Sequence, residues 1–113
     1  MYAHDTAWQT LPPADRVEVA ASALRLLADP TRLRMLWLLC GADHDVTTLA
    51  GAVGIARPAV SQHLAKLRLA GLVGTSRDGR RVLYHVRGGH VRRMLTEAME
   101  HAHHHTAGLP DHD

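Results

Sequence analysis

A chain of 113 residues supports one domain with a thin core, and with no Phe that core must come from Leu, Val, Ala and Met. Its one cysteine, Cys40, excludes a disulfide framework within the chain, and its longest apolar run, 35–40, is far shorter than the ~20 residues of a membrane span. The formal net charge is only +2, yet residues 57–93 carry nine basic side chains against Asp78 alone, a local +8 set against −6 elsewhere. Such a block is the footprint of a phosphate-contacting surface.

Residues 1–13 read as a flexible N-terminal arm, closed by Pro12-Pro13. The arm lacks the basic-then-apolar pattern of a secretion signal, so the cytoplasm is the expected compartment. Asp15 is placed to cap a helix over 15–28, with Val17, Ala20, Ala21, Leu24, Leu27 and Ala28 as its buried stripe. Asp29-Pro30 breaks that helix, because the residue before proline avoids helical angles. A second helix follows over 30–40 and stops at Gly41, with Leu33, Leu36, Trp37, Leu39 and Cys40 expected in the core. Residues 42–45 form a loop.

Val46, Leu49, Ala50 and Val53 fall on one face of a short helix over 46–54, and Gly54-Ile55-Ala56 is a tight connection. The next helix, 57–71, organises the chain. Pro58 fits its first turn and Gly71 its end. Val60, Leu64, Leu67 and Leu69 supply an apolar stripe, while Arg57, Ser61, Gln62, His63, Lys66 and Arg68 offer donors and cations and no carboxylate. A helix that enters a major groove between two rows of phosphates needs that composition. Two short helices joined by a glycine-containing turn read as a helix-turn-helix.

Asp78-Gly79 between the β-prone runs 72–77 and 80–87 predicts a hairpin. The fold class is therefore mainly α with a small β-hairpin, a winged helix-turn-helix over 14–105, followed by a flexible tail over 106–113. Ser61, Gln62 and His63 are the expected groove contacts, with Arg57, Lys66 and Arg68 towards phosphates. Arg77, Arg80 and Arg81 on the wing would reach backbone or minor groove. No nucleophile–base pair, phosphate loop or acid pair is evident, so an enzyme is not expected.

His90 opens a last helix that also holds His101, His103, His104 and His105. At ~100° per residue His101 lies about 20° from His90 and His104 about 40° to the other side, so the three share a face. Val91, Met94, Leu95, Ala98, Met99 and Ala102 run beside it, the apolar stripe of an interface. At ~1.5 Å per residue His90 and His101 are about 16 Å apart, too far for one ion on one helix. An antiparallel partner helix would bring His90 of one subunit beside His101 and His104 of the other, giving two equivalent sites. Imidazole ligands without thiolates suit nickel, zinc or cobalt.

Three strings carry a family likeness: LADPTRLRML over 27–36, VTTLAGAVGIARPAVSQHLAKLRLAGLV over 46–73 and RDGRRVLYHV over 77–86. Together they resemble the ArsR/SmtB family of bacterial metal-sensing repressors across roughly 15–105. The resemblance implies a homodimer, built largely through its terminal helices, that binds an inverted repeat in a double-stranded DNA operator. It also implies a terminal-helix metal site, usually Asp-x-His followed by His-x-x-His or His-x-x-Glu. Here His101 and His104 fit the second pair, and Gly88-Gly89-His90 puts Gly88 where the Asp belongs. Glu97, His103, His105 or the arm's His4 would have to fill that gap. Extra terminal histidines are most like the nickel- and cobalt-sensing subgroup. Ala56 is a second departure, standing where a capping Ser is common.

The expected function is a metal-responsive repressor. One alternative keeps the DNA binding without a metal response of its own, with an accessory regulatory protein as a possible partner. The other is a histidine-rich metal-buffering protein.

Overall fold

The computed structural model describes residues 8–108. Its elements are α1 (Ala14–Leu27), α2 (Pro30–Gly41), α3 (Val46–Val53), α4 (Arg57–Leu69), β1 (Val73–Asp78), β2 (Arg81–Val86) and α5 (Gly88–Thr106). His4 and most of the tail, 109–113, lie outside the described residues.

Local chemistry sets most of the boundaries. Asp29 caps α2 by accepting the Arg32 N–H at 2.9 Å, with Pro30 in the first turn. Asp45 caps α3 by accepting the Thr48 N–H at 2.8 Å. Gly54, at φ +75°, ends α3 in the left-handed conformation that allows the tight turn into α4. Ala56 gives α4 no side-chain cap, as expected of an alanine there. The core gathers Met35, Leu36 and Leu39 of α2, Leu49 of α3, Val60, Leu64 and Leu67 of α4, and Val73, Val86, Val91 and Leu95 behind them.

The strands pair antiparallel from Val73↔Val86 to Asp78↔Arg81. Loop residue His44 adds a bridge to Tyr84, with N–O distances of 3.1 and 2.8 Å. This bridge fastens the loop before α3 to the wing.

The structure corrects several expectations. Asp15 does not cap α1; Pro13 holds that position, and the Asp15 carboxylate accepts its neighbour's N–H at 2.9 Å. The hairpin turn is Gly79-Arg80, one residue later than Asp78-Gly79. Its only positive φ is Gly79's +63°, the pattern of a type II′ turn. The last helix opens at Gly88 rather than His90. Leu69 is 92% exposed, because it lies about 180° around α4 from Val60. Trp37 is 51% exposed, on the rim of a groove with Leu33, Val53 and Met99.

The largest correction concerns α1. Val17 and Leu24 are 47% and 56% exposed, and Ala20 and Ala28 are exposed too. The helix packs on the rest of its own chain through Leu27, Ala23 and Leu26 instead. It therefore has two apolar sides, and the chain covers only one.

Candidate nucleic-acid interface and histidine cluster

The glycine turn after α3 sets α4 across it, and the buried stripe of Val60, Leu64 and Leu67 fixes which side of α4 faces out. Arg57, Ser61, Gln62, Lys66 and Arg68 are all exposed on that side or its flanks. Arg57 is steadied by the Thr47 hydroxyl at 3.4 Å, a contact from α3 to the start of α4. Ser61, Ala65, Arg68, Leu69 and Tyr84 line a shallow groove between α4 and the hairpin. Exposed Leu69 thus belongs to the outer face, beside the cations.

On the wing, Arg77 and Arg80 are exposed. Arg81 is exposed too, but its Nε donates to Asp45 Oδ2 at 3.1 Å, with Asp78 at 4.0 Å. The Thr48 backbone N–H, then the Thr48 hydroxyl and the Arg81 guanidinium, hold the Asp45 carboxyl down to about 2. The cap of α3 and the wing therefore share one carboxylate.

His63 differs from its neighbours on α4. It is half-buried, and its Nδ1 lies 3.5 Å from an Arg32 guanidinium nitrogen. Arg32 also donates from Nε to the Leu26 carbonyl at 2.7 Å. Asp29, beside this pair, is lowered first by the Arg32 backbone N–H and further by the Arg32 and His63 charges.

The histidines of α5 lie along its length. His90 accepts at Nδ1 from Arg93 at 2.9 Å. His101 and His105 stack with ring centroids 6.4 Å apart, and His103 and His104 lie tilted at 6.0 Å. Among the described residues no three His, Cys, Asp or Glu side chains gather where they could hold a metal. The imidazole set fits a transition metal in kind, and only a second chain could complete it. Gly88 has φ +71°, a conformation that L side chains resist, so the missing carboxylate is matched by a backbone that prefers glycine. Glu97 is exposed one turn before His101. Cys40 is half-buried, and burial raises its thiol pKa; it offers no ready thiolate.

Sequence reasoning missed four long-range ties: Arg32 to Leu26 and His63, Asp45 to Arg81, His44 to Tyr84, and Arg92 of α5 to the Cys40 carbonyl. Only the cap within Asp29-Pro30-Thr31-Arg32 had a local signal, a carboxylate three residues before the N–H it accepts.

Two short helices around a left-handed glycine, an exposed cationic face and a basic hairpin define a winged helix-turn-helix DNA-binding regulator, not an enzyme. The chain belongs to the arsR family of bacterial regulatory proteins, whose family model matches residues 29–75. The HTH-type transcriptional regulator KmtR of Mycobacterium tuberculosis is 44% identical over 100 residues, which span 88% of this chain and 77% of that one. NmtR of the same organism is 43% identical over 91 residues, spanning 80% and 76%. Among solved structures, a homodimeric winged helix-turn-helix DNA-binding domain from Mycobacterium bovis superposes with a TM-score of 0.78 at 29% identity, covering 88% of this chain and 93% of that one. NolR from Sinorhizobium fredii gives a TM-score of 0.72 at 35% identity, covering 80% and 95%. No helix among the described residues is long and apolar enough to cross a membrane.

Proposed function

We propose that the protein is a homodimeric cytoplasmic repressor that reads an inverted-repeat operator through α4 and responds to nickel, cobalt or zinc at its terminal helices. The observation that carries the DNA reading is the outer face of α4, where Arg57, Ser61, Gln62, Lys66 and Arg68 stand exposed without a carboxylate. Ser61 and Gln62 reach base edges, and Arg57, Lys66 and Arg68 reach phosphates. Arg77 and Arg80 extend the contact from the wing, with Arg81 shared between DNA and Asp45. His63 stands at the inner edge of this surface.

The homodimer is supported by the uncovered apolar side of α1 and by the groove of Leu24, Leu33, Met94 and Ala98 between α1 and α5. A second copy would cover both. His90, His101 and His104 would hold the metal, with Glu97, His103, His105 and His4 as further ligands. A metal there would supply a cross-link between terminal helices of two subunits. The ligands have to be deprotonated, so the response weakens in acid.

A second reading keeps the DNA binding and drops the metal response. It is favoured by Gly88 at φ +71° and by the Arg93 cation already on His90.

The experiment is a fluorescence-anisotropy titration of the full chain on DNA upstream of its own coding sequence, at fixed salt, with nickel, zinc and cobalt. A change of about 5- to 150-fold, lost in His90→Ala and His101→Ala, supports the sensor. Unchanged affinity at saturating metal supports the second reading.

A further inference from the structure

We infer that His63 is a positioning residue, clamped by Arg32 so that it sets the seating of α4, and not a reader of bases. The inference rests on α4 being the helix that reads DNA.

Arg32 makes three attachments from one residue. Its backbone N–H bonds Asp29 at 2.9 Å, its Nε bonds the Leu26 carbonyl at 2.7 Å, and its guanidinium meets His63 Nδ1 at 3.5 Å. Leu26 lies in the last turn of α1, where carbonyls have no partner within the helix. One side chain thus joins the end of α1, the start of α2 and the middle of α4.

A guanidinium has donors only, so His63 Nδ1 must be the acceptor. The neutral ring then carries its proton on Nε2. His63 is half-buried, whereas Ser61 and Gln62 are exposed. It lies three residues after Val60, about 60° from that buried position, and about 100° from Gln62. Its ring is turned towards the α1–α2 corner. The charged groups facing it there are Arg32 and Asp29.

The test begins with a preferred duplex, selected from a randomised pool by the wild-type full chain. Affinities for that duplex and its single-base variants are then compared. His63→Leu and Arg32→Gln are each expected to weaken binding about tenfold on every duplex, with the order of base preference unchanged. The double variant should be no weaker than the worse single, because both remove one contact. His63→Asn keeps an acceptor at the Nδ1 level and should bind within about twofold of wild type. His63→Gln, with its amide at the Nε2 level, should fall with His63→Leu. That contrast between two polar amides stands even if His63→Leu fails to fold, and a purely space-filling role would not produce it. Gln62→Ala is the control and should change the preference at one base position.

A change in base preference in any His63 variant would make His63 a reader and overturn the inference. Additive losses, or equal binding by His63→Asn and His63→Gln, would overturn it as well. If the wild-type chain selects no duplex, the DNA reading fails and this inference fails with it.

Discussion

The two halves of the molecule satisfy their groups differently. Between α3 and β2, helix ends, strand pairs and charges find partners within the chain: Asp45 serves both the α3 cap and Arg81, and His44 completes the wing through Tyr84. The terminal helices do not reach that closure. Helix α1 leaves one apolar side open, and the histidines of α5 are spread too far along one helix to meet. The DNA-facing half is thus a finished part on one chain, whereas the terminal helices are completed by a second copy.

The sharpest way to break this contrast is Leu24→Glu. A charge on the open side of α1 should separate the dimer and weaken operator binding by about a hundredfold, since two half-sites no longer bind as one. Sedimentation velocity and anisotropy would report both losses; a variant that stays dimeric would place the interface elsewhere. Leu64→Ala attacks the finished half. It should cost about 2–5 kcal/mol of stability in chemical denaturation, through the cavity left in a fully buried site.

Gln62→Ala should remove about 1–3 kcal/mol of discrimination at one base pair and leave folding untouched. Arg77→Ala, by contrast, should weaken binding to all sequences alike and reduce the salt dependence.

Acid tests the shared carboxylate. The Asp45 pKa falls from 3.8 to about 2 on folding, so its contribution is present above the unfolded value and is lost as pH falls towards 2. Asp45→Asn should therefore melt lower than wild type at neutral pH and show a flatter melting curve against pH across that window. An unchanged slope would mean that Arg81 and Thr48 do not hold the carboxylate. The smallest effect expected is a gain. Ala56→Ser supplies the cap that α4 lacks and should add about 1 kcal/mol.

Element order was legible because it is written locally. Asp29-Pro30, Gly54 and Gly71 mark helix ends, and the periodicity of Val60, Leu64 and Leu67 fixes the inner face of α4. Exposed candidates such as Ser61 and Gln62 were legible for the same reason. What could not be read joins distant positions: Arg81 is 36 residues from Asp45, and His63 is 31 from Arg32. Composition says which side chains could pair and not which do. The stripe of α1 misled because apolar periodicity marks a face that will be covered, without saying whether its own chain covers it. The turn shifted by one residue because Asp78 pairs with Arg81 as the last rung of the hairpin, leaving Gly79 to lead the loop.

Gly88 carries a consequence for descent. At φ +71° it is the joint through which the wing passes into the last helix, and a side chain there would find open space but an unfavourable backbone. The same position is where relatives of the usual pattern carry their first carboxylate ligand. A lineage can keep the joint or the ligand with ease, and having both costs backbone strain of about 1–2 kcal/mol. Once glycine settled at this position, the histidines at the far end of the helix were free to multiply or drift under a different selection from the one that fixed the DNA-reading face.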